Sequence, residues 1–337
     1  MTGPDPAVAA TRLAVRRVLQ ELVPEDPAQG GVLVACSGGA DSLALLAATV
    51  FESRRDARRV VGATVDHGLQ EGSREHADRV VAQMAALGAT ETMAVRVRVE
   101  APGVGPEAAA RRARYAALSQ AAEASRAAAV LLGHTRDDQA ETVLLGLTRG
   151  SGGRSIAGMR RWYDEGPVRF VRPLLDLSRA QTEQACRAEG LEAWQDPHND
   201  DPRFTRSRVR QRVLPVLEEE LGPGVAAALA RTGELLQQDL AALEELSAAA
   251  YRRAWTPEGA LDAAQLAAEQ PALASRVLRL AALAAGSPAD ELFKVHIDAL
   301  ARLVGRPHGE VQLPGHLTAF RDEDRLRFRR TTGGVAG

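Results

Sequence analysis

Short apolar runs alternate with Ala-rich helical segments along the first part of the chain. Four runs rich in Val, Ala and Leu begin at Gly31, and they read GVLVAC, VVGATVDH, MAVRVRVE and AAVLLGH. The segments between them carry apolar residues at helical spacing. Strands that alternate with helices are typical of βαβ units, in which helices cover both faces of a parallel sheet. The pattern therefore predicts an α/β domain with a doubly wound parallel sheet.

The pattern changes after Pro215. Leucines then recur at helical spacing, at Leu229, Leu236, Leu240 and Leu243. Helical periodicity continues through Val304. The later segment EVQLPGHLTAFRDEDRLRFRR instead indicates a hairpin whose turn is RDED. We therefore predict an N-terminal catalytic domain over residues 1–215 and a second, mostly helical substrate-binding domain over 216–337 that ends in a hairpin.

The composition is that of a globular chain large enough for a sizeable core. Its 337 residues are 45% hydrophobic. No segment approaches the roughly 18 apolar residues of a membrane span, and the N-terminus lacks the apolar core of a signal peptide. We therefore expect a cytoplasmic protein with no membrane partner. Cys36 and Cys186 are too few for a disulfide framework, and no Cys-x-x-Cys pair is present to hold zinc or an iron–sulfur cluster.

The net charge of −2 means that a nucleic-acid partner would have to be bound by a local basic patch. The segment PRFTRSRVRQR offers such a patch, with arginines at Arg203, Arg206, Arg208, Arg210 and Arg212. On charge alone, a solvated helix face rich in arginine is an equal alternative.

The first predicted strand ends in the loop SGGADS, residues 37–42. Ligands bind at the carboxyl ends of strands in open α/β sheets. Gly38 and Gly39 permit close backbone approach, and the amides that begin the next helix attract anions. The loop therefore predicts a phosphate site, although it fits neither G-x-x-x-x-G-K-[ST] nor G-x-G-x-x-G. The structural alternative is a tight turn with Ser42 as N-cap, which leaves Ser37 and Asp41 unexplained.

The motif SGGADS resembles the S-G-G-x-D-S pyrophosphate loop (PP-loop) of the N-type ATP pyrophosphatases, whose fold is adenine nucleotide alpha hydrolase-like. Further segments narrow the resemblance to the tRNA(Ile)-lysidine synthetase family; they are VDHGLQEGSREHAD, AARRARY, GHTRDDQAETVLLGLTRGSG, RPLLDLSRAQ and DPHNDDPRFTRSRVRQRVLP. The resemblance covers about residues 15–215 strongly and the helical domain loosely. Ser207 departs from the family pattern, where Asn is common, and this leaves the role of that position open.

The resemblance implies an enzyme that ligates free L-lysine to C2 of the wobble cytidine in a tRNA(Ile) with a CAU anticodon. ATP, with Mg²⁺, would first adenylate the C2 oxygen and release pyrophosphate. The lysine ε-amine would then displace AMP and give lysidine. Longer family members carry an extra C-terminal tRNA-binding domain, which we expect this chain to lack. The oligomeric state stays open, with a homodimer as one option.

The resemblance also implies a nucleotide site at the ends of the first two strands. Its ATP-binding residues would be Ser37, Gly38, Gly39, Ala40, Asp41, Ser42, Val65 and His67. Asp41 would in addition hold Mg²⁺ and act in catalysis. For His67 taken alone, packing at a strand end is an equally good interpretation.

Arg111 and His134 belong to the predicted catalytic set, and Arg114 is expected beside Arg111. Arg111 and Arg114 are three apart on a predicted helix, so they share a face that could clamp phosphates or a developing oxyanion. Their alternative is an ordinary solvated surface. His134 leaves the end of the fourth predicted strand and could contact phosphate or the activated base.

A pair of carboxylates is predicted to select lysine. Asp138 and Glu141 are three apart at the start of a helix, so both project from one face toward the predicted site. Asp138 is also counted among the catalytic residues. Its alternative is a capping box with Thr135, which leaves Glu141 unexplained.

Six arginines and one asparagine are predicted to contact tRNA or phosphate. They are Arg114, Arg149, Asn199, Arg206, Arg208, Arg210 and Arg212. Arg206 and Arg210 share one helical face. Arg149 lies in the glycine-rich stretch TRGSGG, which could order over tRNA, although a plain surface linker has the same composition.

Three alternatives remain open at this point. A tRNA-thiolating PP-loop enzyme would share the loop but needs reactive or cluster-binding cysteines. A small-molecule PP-loop ligase would need no tRNA. A nucleotide-binding sensor would bind ATP without turnover and would not require the carboxylates of SGGADS and DDQAE.

Overall fold

A computed structural model describes residues 3–23, 31–68, 72–97, 105–150, 152–194 and 201–331. The chain divides into two compact units, residues 1–236 and 237–337. The division falls inside one long helix, α10 (Val225–Ala254), whereas the sequence placed the domain boundary at residue 215, before that helix.

The first unit contains a six-stranded sheet and nine helices within the described residues. Its strands are β1 (Val32–Ala35), β2 (Val60–Asp66), β3 (Glu91–Arg96), β4 (Ala129–Leu132), β5 (Trp162–Glu165) and β6 (Val168–Val171). Its helices are α1 (Pro6–Leu22), α2 (Ala40–Ser53), α3 (Ser73–Ala86), α4 (Pro106–Ala124), α5 (Arg136–Arg149), α6 (Gly153–Ile156), α7 (Arg179–Ala188), α8 (Thr205–Arg208) and α9 (Leu214–Glu220).

The strand order is β3-β2-β1-β4-β6-β5, and every pair is parallel except β5 with β6. The doubly wound α/β sheet expected from the sequence is therefore confirmed. The hairpin β5–β6 was not anticipated, although Gly166-Pro167 between two β-rich runs is a turn signal. Gly166 has φ of +59°, which suits glycine.

Buried side chains on β1 alternate between the two faces of the sheet. Val32 and Val34 pack in a core with α1, α2 and α7, whereas Leu33 packs with Tyr115 and Leu118 of α4. Helices thus cover both faces of the sheet. This is required because successive side chains of a central strand point to opposite faces, and those of Val32, Leu33 and Val34 are all buried.

Strand β1 lies between β2 and β4, and the chain winds outward from it in both directions. The loops that follow β1 and β4 consequently leave the same edge side by side. Such a topological switch point forms a crevice at the carboxyl ends of the strands. The loop at 37–42 and His134 both lie at this edge, since they follow β1 and β4.

Helix α5 is anchored to the segment that follows α8. Ala140 of α5 packs with Val209, which begins the π-helical turn Val209–Val213, and with Leu214, which follows that turn. These apolar contacts hold the arginine-rich segment against α5. π-Helical turns are rare and are often found at functional sites.

The second unit pairs helices with a small antiparallel sheet. It contains β7 (Leu261–Asp262), α11 (Ala263–Ala268), α12 (Pro271–Ala284), α13 (Lys294–Val304), β8 (His308–Leu313), β9 (Leu317–Asp322) and β10 (Arg325–Arg330). The predicted terminal hairpin is confirmed as β9–β10. Strands β8 and β7 extend it to four strands, which the sequence did not predict. Among the described residues, no helix is both long and apolar enough to span a membrane.

Candidate functional site

The loop after β1 is closed by the hydroxyl of Ser42. This oxygen accepts a hydrogen bond from the Ser37 amide at 3.1 Å and donates to the Gly39 carbonyl at 2.9 Å. The N-cap of α2 is Gly39, not Ser42, and no side chain caps the helix. The alternative in which Ser42 is a simple N-cap is therefore wrong. Uncapped amides at a helix N-terminus are suited to bind an anion.

The carbonyl groups of the loop are tied to neighbouring elements. The ring of His76 lies with Nε2 3.0 Å from the Ser37 carbonyl oxygen, and the Trp194 amide donates to the Gly38 oxygen at 2.9 Å. The rings of His76 and Trp194 are 3.7 Å apart. Gly38 has φ of +84°, and a Cβ there would lie 2.7 Å from Val80 Cγ2. Glycine is therefore required at this position. The roles of His76 and Trp194 were not predicted from the sequence.

Asp41 stands in the first turn of α2 and accepts a hydrogen bond from Thr182 Oγ1. Arg179 Nε lies 3.7 Å from its other oxygen. Burial raises the pKa of this carboxyl to about 6, against the lowering effects of Thr182 and Arg179. At Gly133 an added Cβ would lie 3.1 Å from the Asp41 carbonyl oxygen, so the end of β4 touches the first turn of α2.

Asp138 and Glu141 lie on one face of α5, as the sequence predicted, and both are buried. Asp138 closes a capping box with Thr135, which bears out the capping interpretation for one of its oxygens. Its other oxygen accepts from Arg179 at 2.9 Å and from Arg210 at 3.2 Å. Burial alone would raise the pKa of Asp138. Arg179 and the other neighbours that are positively charged or donate hydrogen bonds have the larger effect, so this pKa is lowered.

Glu141, which capping does not explain, is the anion at the centre of this group. Its side chain has 0% exposure, and Arg210 binds it through two hydrogen bonds of 2.7 and 3.1 Å. Arg206 and Arg179 lie 3.4 and 3.5 Å from its oxygens. We call Asp41, Asp138, Glu141, Arg179, Arg206 and Arg210 the ionic cluster. Its three carboxylates and three guanidinium groups balance in charge.

Arg179 links Asp41 to the acidic pair within the ionic cluster. Its role was not predicted from the sequence. It begins α7 and reaches Asp41 as well as Asp138 and Glu141. A cation in the first turn of a helix opposes the helix dipole. That unfavourable placement, within the quoted segment RPLLDLSRAQ, was a signal of a role beyond helix formation. Thr182 lies one turn further along α7, and nothing in the sequence indicated that it would contact Asp41.

His134 and Arg172 form a second group beside the ionic cluster. Arg172 is buried and donates through Nε to His134 Nδ1 at 3.1 Å. Burial, helped by the charges of Arg172, Arg114 and Arg111 and opposed by Asp138, lowers the pKa of His134 to about 3. Like Arg179, Arg172 belongs to RPLLDLSRAQ but received no role from the sequence.

Arg111 and Arg114 both approach Tyr115. Arg111 donates to the Tyr115 hydroxyl at 3.2 Å and lies 4.8 Å from the ring centre, and Arg114 lies 6.0 Å from it. Burial lowers the pKa of the Arg114 guanidinium. Arg111 is exposed and Arg114 is half-buried, and the charges of both act on His134.

The second strand ends beside this group. Val65 and His67 are partly buried, and His67 Nδ1 is a buried atom without a hydrogen-bond partner among the described residues. Burial lowers the pKa of His67, and Arg114 lowers it further. An unpartnered nitrogen at a strand end is available for a ligand.

The other predicted tRNA contacts lie apart from the ionic cluster or outside the description. Arg208 donates to the carbonyl oxygens of Pro202 and Arg203, at 2.7 and 3.0 Å, and Arg212 is exposed. Arg149 is the last residue of α5, and its side chain is not among the described ones. Asn199 lies outside the described residues.

The two cysteines do not form a reactive pair. Both are buried; the Cys36 sulfur lies 3.6 Å from Ser42 Oγ, and the Cys186 sulfur lies 3.1 Å from the Ala40 carbonyl oxygen. Burial raises the pKa of Cys36 and raises that of Cys186 to about 12. Reactive cysteines are accessible and have lowered pKa values, so this arrangement disfavours thiolation chemistry.

Comparisons with known proteins identify the family of the chain. A family model described as "PP-loop domain" matches residues 11–217, and one described as "TilS substrate binding domain" matches residues 261–327. The chain is 53% identical to the tRNA(Ile)-lysidine synthase of Thermobifida fusca, over 94% of this chain and 95% of that one. It is 48% identical to the tRNA(Ile)-lysidine synthase of Streptomyces coelicolor, over 97% and 99%.

A solved structure shares the fold. The U34-tRNA thiolase NcsA from Methanococcus maripaludis, with its [4Fe-4S] cluster, superimposes with a TM-score of 0.57 at 18% identity. The match covers 68% of this chain and 80% of the thiolase. At this identity the likeness shows the fold alone.

The raised pKa of Asp41 gives a stability prediction. Because the folded-state pKa of about 6 exceeds the ordinary 3.8, the folded protein binds the extra proton, and stability should fall as pH rises through this range. Two pKa units correspond to about 3 kcal/mol. Asp41→Asn should therefore unfold at a higher temperature than the wild type at pH 7.5, with the gap closing toward pH 4.

Thermal unfolding of both proteins across that pH range checks this. Asp176→Asn, at an exposed carboxylate that pairs with Arg161, serves as the control and should shift stability little. A less stable Asp41→Asn at pH 7.5 would mean that the carboxylate serves chiefly to hold Thr182 and Arg179.

Proposed function

Because the chain belongs to the tRNA(Ile)-lysidine synthase family of ATP-dependent PP-loop ligases, we propose that its switch-point site joins free L-lysine to the wobble cytidine of a CAU-anticodon tRNA(Ile). The observation that carries this proposal is the ionic cluster. Arg179 contacts Asp41 beside the phosphate loop and also the buried acidic pair. A site for ATP and a site for a cationic substrate would thus share one set of side chains.

The loop is assigned to ATP. The amides at the start of α2 and the hydroxyls of Ser37 and Ser42 would cradle the phosphates whose release as pyrophosphate drives adenylation. In this first step the bond between the α- and β-phosphates breaks and a bond forms from the α-phosphorus to the C2 oxygen. Val65 and His67 would contact the nucleoside at the end of β2.

Mg²⁺ fits this site through Asp41. No group of three or more His, Cys, Asp or Glu within the described ranges could hold a metal by itself. Mg²⁺ is usually held by one or two carboxylates together with substrate phosphates, so a single carboxylate next to the loop suffices. A bound cation would also offset the cost of keeping Asp41 ionised while buried. When bound, Mg²⁺ would neutralise charge on the leaving pyrophosphate.

The acidic pair is assigned to lysine. Arg206 pairs with Glu141, and Arg210 pairs with both Asp138 and Glu141, so cationic groups already occupy the positions proposed for lysine. An amine of lysine that binds there must replace a guanidinium. Arg210 belongs to the π-helical turn, a geometry that is rare and is often found at functional sites. We infer that Arg210 yields its place to the substrate.

In the second step the lysine ε-amine attacks C2. A C2–N bond forms, the bond from C2 to the adenylated oxygen breaks, and AMP leaves with that oxygen. Arg111, Arg114 and His134 would face the negative charge that develops on the departing group. Each of these roles is an assignment that mutation can test.

Incubation of the protein with ATP, labelled lysine and a CAU-anticodon tRNA(Ile) transcript tests the function as a whole. We expect label on the RNA, with one AMP and one pyrophosphate released for each lysine transferred. A transcript whose wobble base is uridine is the control and should remain unlabelled. ATP-dependent lysine chemistry that proceeds without tRNA would instead support a small-molecule ligase.

Variants of the acidic pair test how lysine is selected. Asp138→Asn or Glu141→Gln should remove a charge-assisted hydrogen bond worth about 1.5–3 kcal/mol and raise the KM for lysine roughly 10- to 150-fold. Adenylation measured without lysine should survive better than the overall reaction. Asp137→Asn, in the same helical turn, is the matched control because Asp137 accepts from the Arg179 amide, not from a side chain of the ionic cluster. Unchanged KM with lowered stability would make the pair purely structural.

Arg212 tests the predicted tRNA surface. Arg212 is proposed to contact a phosphate of the tRNA. Arg212→Ala should therefore weaken tRNA binding and reduce the slope of log Kd against log salt concentration by about one unit. Arg55→Ala is the control, since Arg55 is exposed just beyond the C-terminal end of α2, away from the phosphate loop. Binding titrations at several salt concentrations measure the slope. A slope equal to that of the wild type would remove Arg212 from the tRNA contacts.

A further inference from the structure

We propose that Arg172 is a positioning residue that fixes His134 as a hydrogen-bond donor, through Nε2–H, to an oxygen atom at the reacting centre. The proposal rests on the proposed function, because it takes the switch-point site as the place of reaction.

The hydrogen bond between the two side chains determines where the imidazole proton lies. A guanidinium group has only donors, so Arg172 Nε must donate and His134 Nδ1 must accept, at 3.1 Å. A ring nitrogen that accepts carries no hydrogen. In a neutral imidazole the hydrogen then resides on Nε2. The ring is therefore the Nε2–H tautomer.

The surroundings of His134 oppose a second proton on the ring. The guanidinium groups of Arg172, Arg114 and Arg111 all disfavour an imidazolium, and Asp138 alone favours it. The Asp138 oxygens, however, are taken by Thr135, Arg179 and Arg210. His134 Nε2 makes no hydrogen bond to a described residue, so its hydrogen is available to a ligand.

Arg172 is itself held firmly, as a positioning residue must be. It is 4% exposed, it follows β6, and its Nη1 donates to the Arg160 carbonyl oxygen at 2.5 Å. Its guanidinium lies 5.0 Å from the centre of the Tyr163 ring. Strand β6 is the parallel neighbour of β4, whose end carries His134. Adjacent strands thus set the orientation of the imidazole.

This arrangement excludes His134 as the base that takes a proton from the lysine ammonium, because Nδ1 is engaged and Nε2 already bears hydrogen. It suits a neutral donor to an oxygen on which negative charge develops, with Arg111 and Arg114 nearby. Two substrate oxygens have this chemistry: a phosphate oxygen of ATP and the C2 oxygen of the cytidine.

Nitrogen-15 NMR of protein labelled at histidine tests the tautomer directly. The His134 signals, identified by their loss in His134→Gln, should show a protonated Nε2 and an unprotonated Nδ1 at pH 7. Arg172→Lys keeps a donor and should preserve this signature, whereas Arg172→Met should yield mixed tautomers or an imidazolium. A protonated Nδ1 in the wild type would overturn the proposal, as would an unchanged signature in a folded Arg172→Met.

Kinetics of AMP transfer to tRNA in the absence of lysine test the role. Glutamine can place an amide N–H near the position of Nε2 but cannot act as a base, so His134→Gln should adenylate at least 10-fold faster than His134→Ala. Equal loss in both variants would overturn the donor role. Weaker ATP binding by His134→Ala without tRNA would identify a phosphate oxygen as the acceptor, and unchanged ATP binding would identify the C2 oxygen.

These measurements separate the two hypotheses. If labelled lysine does not reach the tRNA, the proposed function fails while the NMR signature still decides whether Arg172 fixes the tautomer. If lysine is transferred and the tautomer is the opposite one, only the present proposal fails.

Discussion

The burial of Glu141 is the constraint on which the site depends. A carboxylate without solvent contact is destabilising by several kcal/mol unless cations and hydrogen bonds surround it. Three arginines meet this requirement, and each comes from a different element: α7, α8 and the π-helical turn. One buried charge on α5 therefore holds two segments that are distant from it in sequence, the start of α7 and the continuous stretch formed by α8 and the π-helical turn. In the proposed function, a cationic group of the substrate would replace one of these arginines.

The topology of the sheet explains why this cluster lies beside a phosphate loop. Because β1 and β4 are neighbours at the switch point, the first turns of α2 and α5 begin at the same edge. Gly133 lets the backbones touch, and Arg179 then bridges Asp41 and the acidic pair. A chemistry in two steps, with one substrate activated and another attacking, requires such adjacency.

Sequence patterns predicted the parts of this protein that depend on local chemistry. Alternating runs gave β1 to β4 correctly, and the polar turn RDED between two apolar runs gave the hairpin β9–β10. The side-by-side placement of Asp138 and Glu141 followed from helical spacing alone. The hairpin β5–β6 was missed because two strands of four residues carry little periodic signal. Arg172, His76 and Trp194 were missed because their contacts are made across long sequence separations, which spacing cannot reveal.

The exclusive use of arginine in the ionic cluster has a chemical consequence. Lysine would supply the same charge, but its amine can lose a proton when buried and then become a nucleophile. Next to an adenylated base, such an amine would compete with the substrate and could attach the protein itself to the RNA. Guanidinium groups stay protonated and do not attack carbon under these conditions. The only lysine in the chain, Lys294, lies in α13 of the other unit. In the proposed reaction, the cations next to the electrophile would therefore not attach the protein to its own substrate.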